Sequence, residues 1–368
     1  MNLASRLRPV KQPAPTLLTL LAIAISACGS ADDGAAPRRC TSRAAPANVP
    51  GLPGLPGAPA TDLERVTSFG DNPGALEMYV HPPPSGSAKA VIVALHGCTQ
   101  RAADYSAAGW NELADELGLA IVYPEQTTSN HASRCFHWFE PGDAARGRGE
   151  ARSIAAMTGH AMKTYGASRA FVTGLSAGGA MTAVMLATYP ELFEAGAIMA
   201  GIPYGCARST LDAFSCMSGR AAGGPGPSPA SLPPAAAYPR VSIWQGAADW
   251  TVRPANLDAL VAQWTSAHGV ASPAATNAEG RATHREFRAE DGRVVVESWL
   301  VDGMGHGVAL GDGCGRAGAY FLDVGICSTR AAAAFFGLLP AGAPPGPSPG
   351  GAAASPPEAP DEDCEPEP

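Results

Sequence analysis

The chain has 368 residues, 46% of them hydrophobic, and a formal net charge of −8 at pH 7. This length suits one large domain with tails, and no basic stretch indicates a nucleic-acid partner. Its 43 glycines and 35 prolines are concentrated in a few segments, which are therefore predicted to lie outside the regular elements.

Residues 1–27 have the pattern of a lipoprotein-type signal peptide. Arg6, Arg8 and Lys11 precede the apolar run TLLTLLAIAISA, which is too short to cross a bilayer as a helix. The run ends in Ile-Ser-Ala before Cys28 and resembles a bacterial lipobox, so we expect cleavage before Cys28 and a lipid on that cysteine. The alternative is a freely secreted protein, because small residues before a cysteine also suit an ordinary signal peptidase.

Three segments rich in alanine, proline and glycine mark the limits of the domain. Residues 28–62 are predicted to be a flexible linker, and residues 341–368, which end in PEAPDEDCEPEP, a disordered acidic tail. Residues 221–239 are predicted to form a surface loop, because patterned segments resume after them. A single domain is therefore expected over residues 63–340.

Apolar strands alternate with helices along this domain. Strands are predicted at 90–97, 119–126, 170–174, 195–201, 240–246 and 294–301, and helices at 102–118, 150–166, 178–189, 254–264 and 328–339. This alternation indicates a mainly parallel, doubly wound α/β sheet. In such sheets the functional site lies at the carboxyl ends of the strands.

Ser176 lies between a predicted strand and a predicted helix in the segment RAFVTGLSAGGAM. With Gly174 and Gly178 it makes the pattern G-x-S-x-G, the nucleophile elbow. Glycine suits both flanking positions because the turn is so tight that a Cβ there would clash. The alternative is a glycine-rich turn with a solvated serine, and the pentapeptide alone does not distinguish the two.

A serine nucleophile needs a base within hydrogen-bond reach and a carboxylate that orients the base. After an elbow of this kind the chain order is Ser, then the acid, then His. His306 follows the strand at 294–301 on a glycine-flanked turn, whereas His268 ends a predicted helix and His284 lies in a polar segment. His306 is therefore the predicted base.

Asp249 is the predicted acid because it follows the strand RVSIWQG directly, at the carboxyl end of the sheet. Asp258 falls in a helical stretch and is expected to face solvent, and Asp302 is close to His306 in sequence. The predicted triad is therefore Ser176, Asp249 and His306.

The oxyanion of an acyl-transfer reaction needs preorganised N–H donors. One is expected from Ala177, directly after the nucleophile. The second is expected from Cys98 in the segment LHGCTQ, which follows an early strand and resembles an HG-type oxyanion motif. His96 in that segment is interpreted as structural.

The chain contains nine cysteines, and export predicts that they form disulfides. Local spacing favours two bonds, Cys206 with Cys216 and Cys314 with Cys327. Cys40 and Cys364 lie in the tails, where they pair with each other or stay unpaired.

Five segments in order resemble the polyhydroxybutyrate depolymerase-type esterases, a family that also includes acetylxylan and feruloyl esterases of carbohydrate esterase family one. They are ALHGCTQ, RCFHWFEP, GLSAGGAMTAVMLATYPELFEAGAIMAGIPYGCA, IWQGAADWTVRPAN and GMGHGVALG, and the resemblance covers about residues 65–340. It implies an α/β-hydrolase fold with one catalytic domain, and the triad and oxyanion donors given above. It also suggests Cys135 as the disulfide partner of Cys98.

Two departures from the family bear on the substrate. Members often carry Trp-Asn-Trp-Phe where this chain has residues 136–139 as Phe-His-Trp-Phe, and many depolymerases append a polymer-binding domain where this chain has a proline-rich tail. Trp138 and Trp250 are the predicted substrate-binding residues, because aromatic faces suit sugar rings and polyester chains. A core position is the alternative for Trp138.

The spacing of His131, Cys135 and His137 is also typical of metal ligands, but an oxidised Cys135 is expected in an exported protein. We therefore expect no metal and no cofactor.

The resulting hypothesis is an exported, monomeric serine esterase that contacts the membrane only through its lipid. Poly- or oligo(3-hydroxyalkanoate) esters are the first substrate class, and acetyl or feruloyl esters of plant cell walls are the alternative. A non-catalytic binding protein on a hydrolase scaffold is the hypothesis from another class. Such a protein is expected to lack a triad residue or an elbow glycine, and this chain lacks neither.

Overall fold

The computed structural model of the protein describes residues 63–220 and 232–339. The predicted signal peptide, linker and acidic tail lie outside the described residues, as do Cys28, Cys40 and Cys364. None of the helices in the described ranges has both the length and the apolar character needed to cross a bilayer.

Ten strands of the described chain form one sheet. Their bounds are β1 Glu64–Val66, β2 Glu77–His81, β3 Val91–Leu95, β4 Ala120–Glu125, β5 Ala170–Leu175, β6 Ala195–Met199, β7 Arg240–Gly246, β8 Ala275–Glu279, β9 Ala282–Arg288 and β10 Val294–Val301. The strand order is β1-β2-β4-β3-β5-β6-β7-β10-β9-β8. The six strands from β4 to β10 pair in parallel, and the four outer strands pair antiparallel. A separate parallel pair consists of β11 Val308–Leu310 and β12 Phe321–Asp323.

The central strands are apolar throughout because both faces of the sheet are covered. All five residues of β3 are buried. Val91 and Val93 belong to the core on one face, and Ile92 and Ala94 to the core on the other. This arrangement agrees with the predicted doubly wound sheet.

Seven α-helices accompany the sheet in the described residues. They are α1 Ala102–Tyr105, α2 Trp110–Leu117, α3 Gly149–Tyr165, α4 Ala177–Thr188, α5 Thr210–Met217, α6 Ala255–His268 and α7 Ser328–Phe335. Helices α3, α4 and α6 pack in the core that contains Val93, and α1, α2 and α7 pack in the core that contains Ile92.

The helix predicted at 102–118 is wrong as a continuous element. It is divided into α1, a 3-10 turn at Ser106–Ala108, and α2, with Gly109 between them at φ +88°. A Cβ at Gly109 would lie 2.7 Å from the backbone nitrogen of Gly315. The glycine therefore permits a close contact with a segment about 200 residues later, and this contact interrupts the helix.

Sequence patterns missed the outer antiparallel strands and helix α5. Strand β8 has the sequence ATNAE, and its three central residues are exposed, so it lacks the apolar alternation by which strands are recognised. Helix α7 ends at Phe335, four residues before the predicted end.

A buried polar network joins three strands at the antiparallel side of the sheet. His284 Nδ1 lies 2.9 Å from Glu279 Oε1, and His284 Nε2 lies 3.1 Å from Glu297 Oε2. The ring of His284 stacks on Trp299 with 3.8 Å between the centroids. Burial lowers the pKa of His284, but its hydrogen bonds with Glu297 and Glu279 and their charges outweigh burial and raise the pKa above the usual value.

This network predicts a loss of stability at alkaline pH. Because the pKa of His284 is raised in the folded state, its stabilisation is fully present below the unfolded pKa of about 6.5 and is lost as the pH rises through the folded-state pKa. Glu279→Gln removes the negative charge that faces His284 Nδ1, so it is expected to lower the free energy of unfolding more at about pH 6 than at about pH 9. Urea denaturation at both pH values measures this.

Glu290→Gln is the matched control, because Glu290 is exposed on the turn between β9 and β10. A destabilisation by Glu279→Gln that is equal at the two pH values would contradict the role given to His284.

Candidate active site

Ser176 occupies the turn between β5 and α4. Its backbone has φ 57° and ψ −116°, a strained conformation for a residue with a side chain and one that is typical of functional turns. A Cβ at Gly178 would collide with the backbone carbonyl oxygens of Leu95 and His96, and one at Gly174 with the carbonyl of Gly178. Only glycine therefore permits this turn to pack against the end of β3.

The carboxylate of Asp249 is buried and fully hydrogen-bonded. Its Oδ1 accepts the N–H groups of Thr251 and Val252 at 2.8 and 2.9 Å. Its Oδ2 accepts from Gln245 Nε2 at 2.9 Å and lies 2.7 Å from His306 Nδ1. The carboxylate thus holds the imidazole with Nδ1 as the donor and leaves Nε2 for another partner.

Gln245 is a site residue that sequence reasoning missed. It is buried at the carboxyl end of β7, and its Nε2 also donates to the carbonyl of Val252 at 2.9 Å. Through these two bonds it fixes both the carboxylate of Asp249 and the turn that follows. A polar residue in a strand that is otherwise mostly apolar, four positions before the predicted acid, was the available signal.

Ser176 and His306 line the same pocket, which has a volume of about 170 Å³. The side chain of His306 is only 10% exposed, and its ring meets the ring of Tyr320 edge-on with 6.1 Å between the centroids. The other residues that line the pocket include Gly97, Cys98, Gln100, Met217 and Thr251.

The loop after β3 is held in place from several directions. Gly97 donates its N–H to Gln100 Oε1 at 2.8 Å, and Thr99 donates its N–H to the carbonyl of Ser133 at 2.6 Å. Cys98 is bonded to Cys135 by a disulfide, the pairing that the family resemblance suggests. Within the described residues no acceptor takes the N–H of Cys98.

Ala177 is the first residue of α4, and N–H groups at a helix start have no acceptor within the helix. Backbone donors from two segments are therefore available beside the pocket that contains Ser176.

His96 is completely buried and has a structural place. Burial lowers its pKa to about 4, so the ring is neutral at neutral pH. His96 Nε2 accepts the N–H of Gln126 at 3.0 Å, and Nδ1 donates to the carbonyl of Gly97 at 2.7 Å. These bonds connect the loop after β3 to the end of β4.

The alternative candidates for the base and the acid do not line the pocket that contains Ser176. His268 ends α6 and bonds the carbonyl of Pro239, His284 belongs to the network described above, and the side chain of Asp258 is 73% exposed. Asp302 is exposed.

The two predicted substrate-binding tryptophans differ in exposure. Trp138 is only 7% exposed and lines a separate cavity of about 330 Å³ with Phe139 and Tyr204. Trp250 is 76% exposed, directly after Asp249, and the guanidinium of Arg253 lies 4.0 Å from its ring centroid.

Of the residues with metal-ligand spacing, His131, Cys135 and His137, the cysteine offers no thiolate because Cys135 is in a disulfide. A different group of three residues lies close together. Oxygen and nitrogen atoms of His137, Asp143 and Glu150 lie within 4.8 Å of one another. They bond each other: His137 Nδ1 lies 2.7 Å from Glu150 Oε1, and the N–H of Glu150 donates to Asp143 Oδ1 at 3.1 Å. Gln126 donates to Glu150 as well. These hydrogen bonds join the segment before α3 to the start of that helix.

Comparison with known proteins identifies the family. The sequence profile described as Esterase PHB depolymerase matches residues 75–288. Poly(3-hydroxyalkanoate) depolymerase C of Paucimonas lemoignei is 43% identical over 295 residues, which cover 75% of this chain and 70% of that protein. The chain belongs to the PHB depolymerase esterase family.

Two further relatives are named for a different substrate, acetylxylan. Acetylxylan esterase A of Aspergillus oryzae is 34% identical over 268 residues, 68% of this chain and 86% of that protein. A solved acetyl xylan esterase from Aspergillus awamori matches 75% of this chain and 99% of that chain, with a TM-score of 0.62 at 26% identity. The predicted α/β-hydrolase fold and the predicted class, a carboxylic ester hydrolase, are confirmed.

Three disulfides hold the described part of this esterase. Besides Cys98–Cys135 they are Cys206–Cys216 and Cys314–Cys327, the pairs that local spacing favours. Disulfides of this kind fit an exported protein, because oxidising compartments preserve them.

The position of Cys98 predicts that its disulfide affects turnover as well as stability. Replacing both Cys98 and Cys135 by Ser is expected to lower kcat by about 10- to 10³-fold, the upper value corresponding to loss of one oxyanion donor. It is also expected to lower the free energy of unfolding by about 2–4 kcal/mol. Ester hydrolysis and urea denaturation measure the two effects.

The matched control replaces both Cys314 and Cys327 by Ser. These residues do not line the pocket, so this variant is expected to lose stability while the folded enzyme keeps its kcat. Equal kcat values for the two double variants, measured where both are folded, would contradict the role of the first disulfide.

Proposed function

We propose that the esterase works through an acyl-enzyme intermediate, with Ser176 as nucleophile, His306 as base and Asp249 as the group that orients His306. The observation that carries this proposal is the 2.7 Å contact between His306 Nδ1 and Asp249 Oδ2, in a pocket that also contains Ser176. His306 Nε2 accepts the hydroxyl proton as Ser176 Oγ attacks the ester carbonyl.

The N–H groups of Cys98 and Ala177 then donate to the tetrahedral oxyanion. As the carbonyl re-forms, the alcohol leaves and takes the proton from His306. Water, deprotonated by His306, attacks the acyl-serine, and the acid is released with Ser176 restored.

We propose hydroxyalkanoate esters as the substrate class. The identity of 43% to a poly(3-hydroxyalkanoate) depolymerase, against 34% to acetylxylan esterase A, supports this choice. The pocket of about 170 Å³ also suits a short acyl unit. Acetylxylan is the second candidate, supported by the match to the Aspergillus awamori enzyme and by the exposed ring of Trp250, which suits stacking on a sugar.

Ser176→Ala is expected to lower kcat by a factor on the order of 10⁶, as removal of a triad serine does. A serine-reactive phosphonate is expected to label Ser176 alone, as read by peptide mass spectrometry. Ser266→Ala, at an exposed position near the end of α6, is the control and keeps its turnover. A folded Ser176→Ala preparation with more than about 1% of wild-type turnover would contradict the assignment of Ser176 as the nucleophile.

A substrate panel separates the two candidates. Soluble 3-hydroxybutyrate oligomers, acetylated xylan and methyl ferulate are offered to the wild-type enzyme at equal ester concentration. The proposal expects the highest kcat/KM on the oligomers, and a preference for acetylated xylan would overturn it.

We also propose that the enzyme is a monomer held at the cell envelope by a lipid on Cys28. Residues 1–27 act as the signal peptide, residues 28–62 as the tether and residues 341–368 as an acidic tail, and the catalytic domain extends over residues 63–340. The basic and apolar segments before Cys28 support this proposal.

Cys28→Ala is expected to leave the protein unprocessed or freely soluble, because acyl chains supply the membrane affinity. Membrane fractionation and the mass of the N-terminal peptide measure the effect. A soluble wild-type protein whose N-terminus lies beyond Cys28 and carries no lipid would contradict anchoring and favour secretion.

A further inference from the structure

A buried carboxamide lies behind the loop that contains Cys98. Gln126 directly follows β4, the parallel neighbour of β3, and its side chain is completely buried. It does not line the pocket that contains Ser176. A buried polar side chain costs free energy unless its groups are hydrogen-bonded, so the partners of Gln126 show which segments it holds together.

The carboxamide of Gln126 uses all of its hydrogen-bonding capacity. Its Nε2 donates to the carbonyl of Cys135 at 3.2 Å and to Glu150 Oε1. Its Oε1 accepts the N–H of Thr127 at 3.0 Å and accepts from Asn130 Nδ2 at 2.9 Å. A backbone carbonyl only accepts and a backbone N–H only donates, so these partners fix the orientation of the carboxamide.

Glu150 anchors the carboxamide to a helix. It is the second residue of α3, it is 1% exposed, and its carboxylate accepts the backbone N–H of His137 at 2.8 Å. A hydrogen bond to a charged acceptor is stronger than one between neutral groups. Gln126 is therefore held firmly by Glu150, and the carbonyl of Cys135 is held by Gln126.

Gln126 is connected to Cys98 along two paths. The first is through its backbone, whose N–H donates to His96 Nε2 at 3.0 Å, two residues before Cys98. The second is through its side chain to the carbonyl of Cys135, whose sulfur is bonded to Cys98. Gln126 therefore bonds both the loop that contains Cys98 and the segment to which the disulfide joins it.

The two segments joined by this disulfide have strained backbones. Thr99 has φ +67° and Arg134 has φ +47°, values that are uncommon for a residue with a side chain and least suited to a β-branched one such as Thr99. Both strained positions lie beside one hydrogen bond, from the N–H of Thr99 to the carbonyl of Ser133 at 2.6 Å. Strained backbone persists only where surrounding contacts hold it, so the loss of a contact allows it to relax.

The loop after β3 passes directly beside the predicted nucleophile. A Cβ at Gly97 would lie 3.6 Å from the Cβ of Ser176, and the next residue, Cys98, lines the pocket. Catalytic groups must be held within about 0.5 Å of their productive positions. Relaxation of this loop would therefore displace a donor at the place where it is needed.

We propose that Gln126 is a positioning residue for the oxyanion site, and that its carboxamide holds the N–H of Cys98 where the tetrahedral oxyanion forms. The inference rests on the proposed function, in which Cys98 donates to that oxyanion. Gln126 acts through Cys135 and the disulfide, without touching the substrate. An interaction realised only in the transition state changes kcat and leaves KM nearly unchanged.

Two substitutions of Gln126 test the proposal. Gln126→Met keeps the length of the side chain and removes its hydrogen bonds. Gln126→Asn is the milder variant, because it keeps a carboxamide that is one methylene group too short to reach Cys135 and Glu150 together.

Thr329→Val is the matched control. It removes a buried hydrogen bond of 2.6 Å between α7 and the carbonyl of Ala108, and neither residue lines the pocket. For each variant, kcat and KM are measured on p-nitrophenyl butyrate. The inhibition constant Ki is measured for an alkyl trifluoromethyl ketone, whose adduct with a serine carries an oxyanion.

We expect Gln126→Met to lower kcat by about 10- to 100-fold, which is less than the full effect of losing one oxyanion donor. The Ki of the ketone is expected to rise by the same factor, while KM changes by less than about threefold. Gln126→Asn is expected to lower kcat by about three- to tenfold. Thr329→Val is expected to keep all three values, because its lost bond affects stability alone.

The path through the disulfide is tested by making Gln126→Met in the variant that has Ser at both Cys98 and Cys135. If the carboxamide acts through the disulfide, the substitution lowers kcat less in that background than in the wild type. An equal reduction of kcat in the two backgrounds would overturn the path.

Wild-type kcat and Ki in folded Gln126→Met would overturn the proposal, and so would wild-type values in Gln126→Asn if the methionine variant does not fold. The proposed function would stand in either case if replacement of both Cys98 and Cys135 lowers kcat. If that replacement also leaves kcat and Ki unchanged, the role of Cys98 as an oxyanion donor is contradicted instead. The two failures are therefore distinguishable.

Discussion

The site depends on one close contact between backbones. The turn that carries Ser176 packs so tightly on the end of β3 that any side chain at Gly178 would strike the carbonyl oxygens of Leu95 and His96. This contact places the start of α4 beside the loop that contains Cys98. Ser176 and the N–H groups of Cys98 and Ala177, which are the proposed nucleophile and oxyanion donors, are therefore positioned by one packing constraint, and a single methyl group would separate them.

The side chains of Asp249 and His306 are held by hydrogen bonds. Asp249 is buried, and four donors share its two oxygens, which offsets the desolvation of the carboxylate. Gln245 and the turn after β7 supply three of those donors, so His306 meets a carboxylate that is already fixed. Preorganisation of this kind removes reorganisation from the reaction itself.

The surface around the pocket differs from the pocket in character. The pocket that contains Ser176 is small, whereas Trp250, next to the pocket-lining Thr251, is strongly exposed. The Cys98–Cys135 disulfide joins the loop after β3 to the segment between β4 and α3, and Cys206–Cys216 joins α5 to the segment that precedes it.

The sequence by itself determined the order of the buried strands and the identity of Ser176, Asp249 and His306 as candidates, because strand burial and elbow chemistry are local patterns. It did not determine the break at Gly109, the polar strand β8, the hydrogen bonds of Gln245 or the exposure of Trp250 against the burial of Trp138. The first three of these depend on what another part of the chain places nearby: Gly315 beside Gly109, β9 beside β8, and Asp249 beside Gln245. Local pattern fixes a residue's preference for strand, helix or turn, but contact with other parts of the chain decides which preferences hold and which side chains meet.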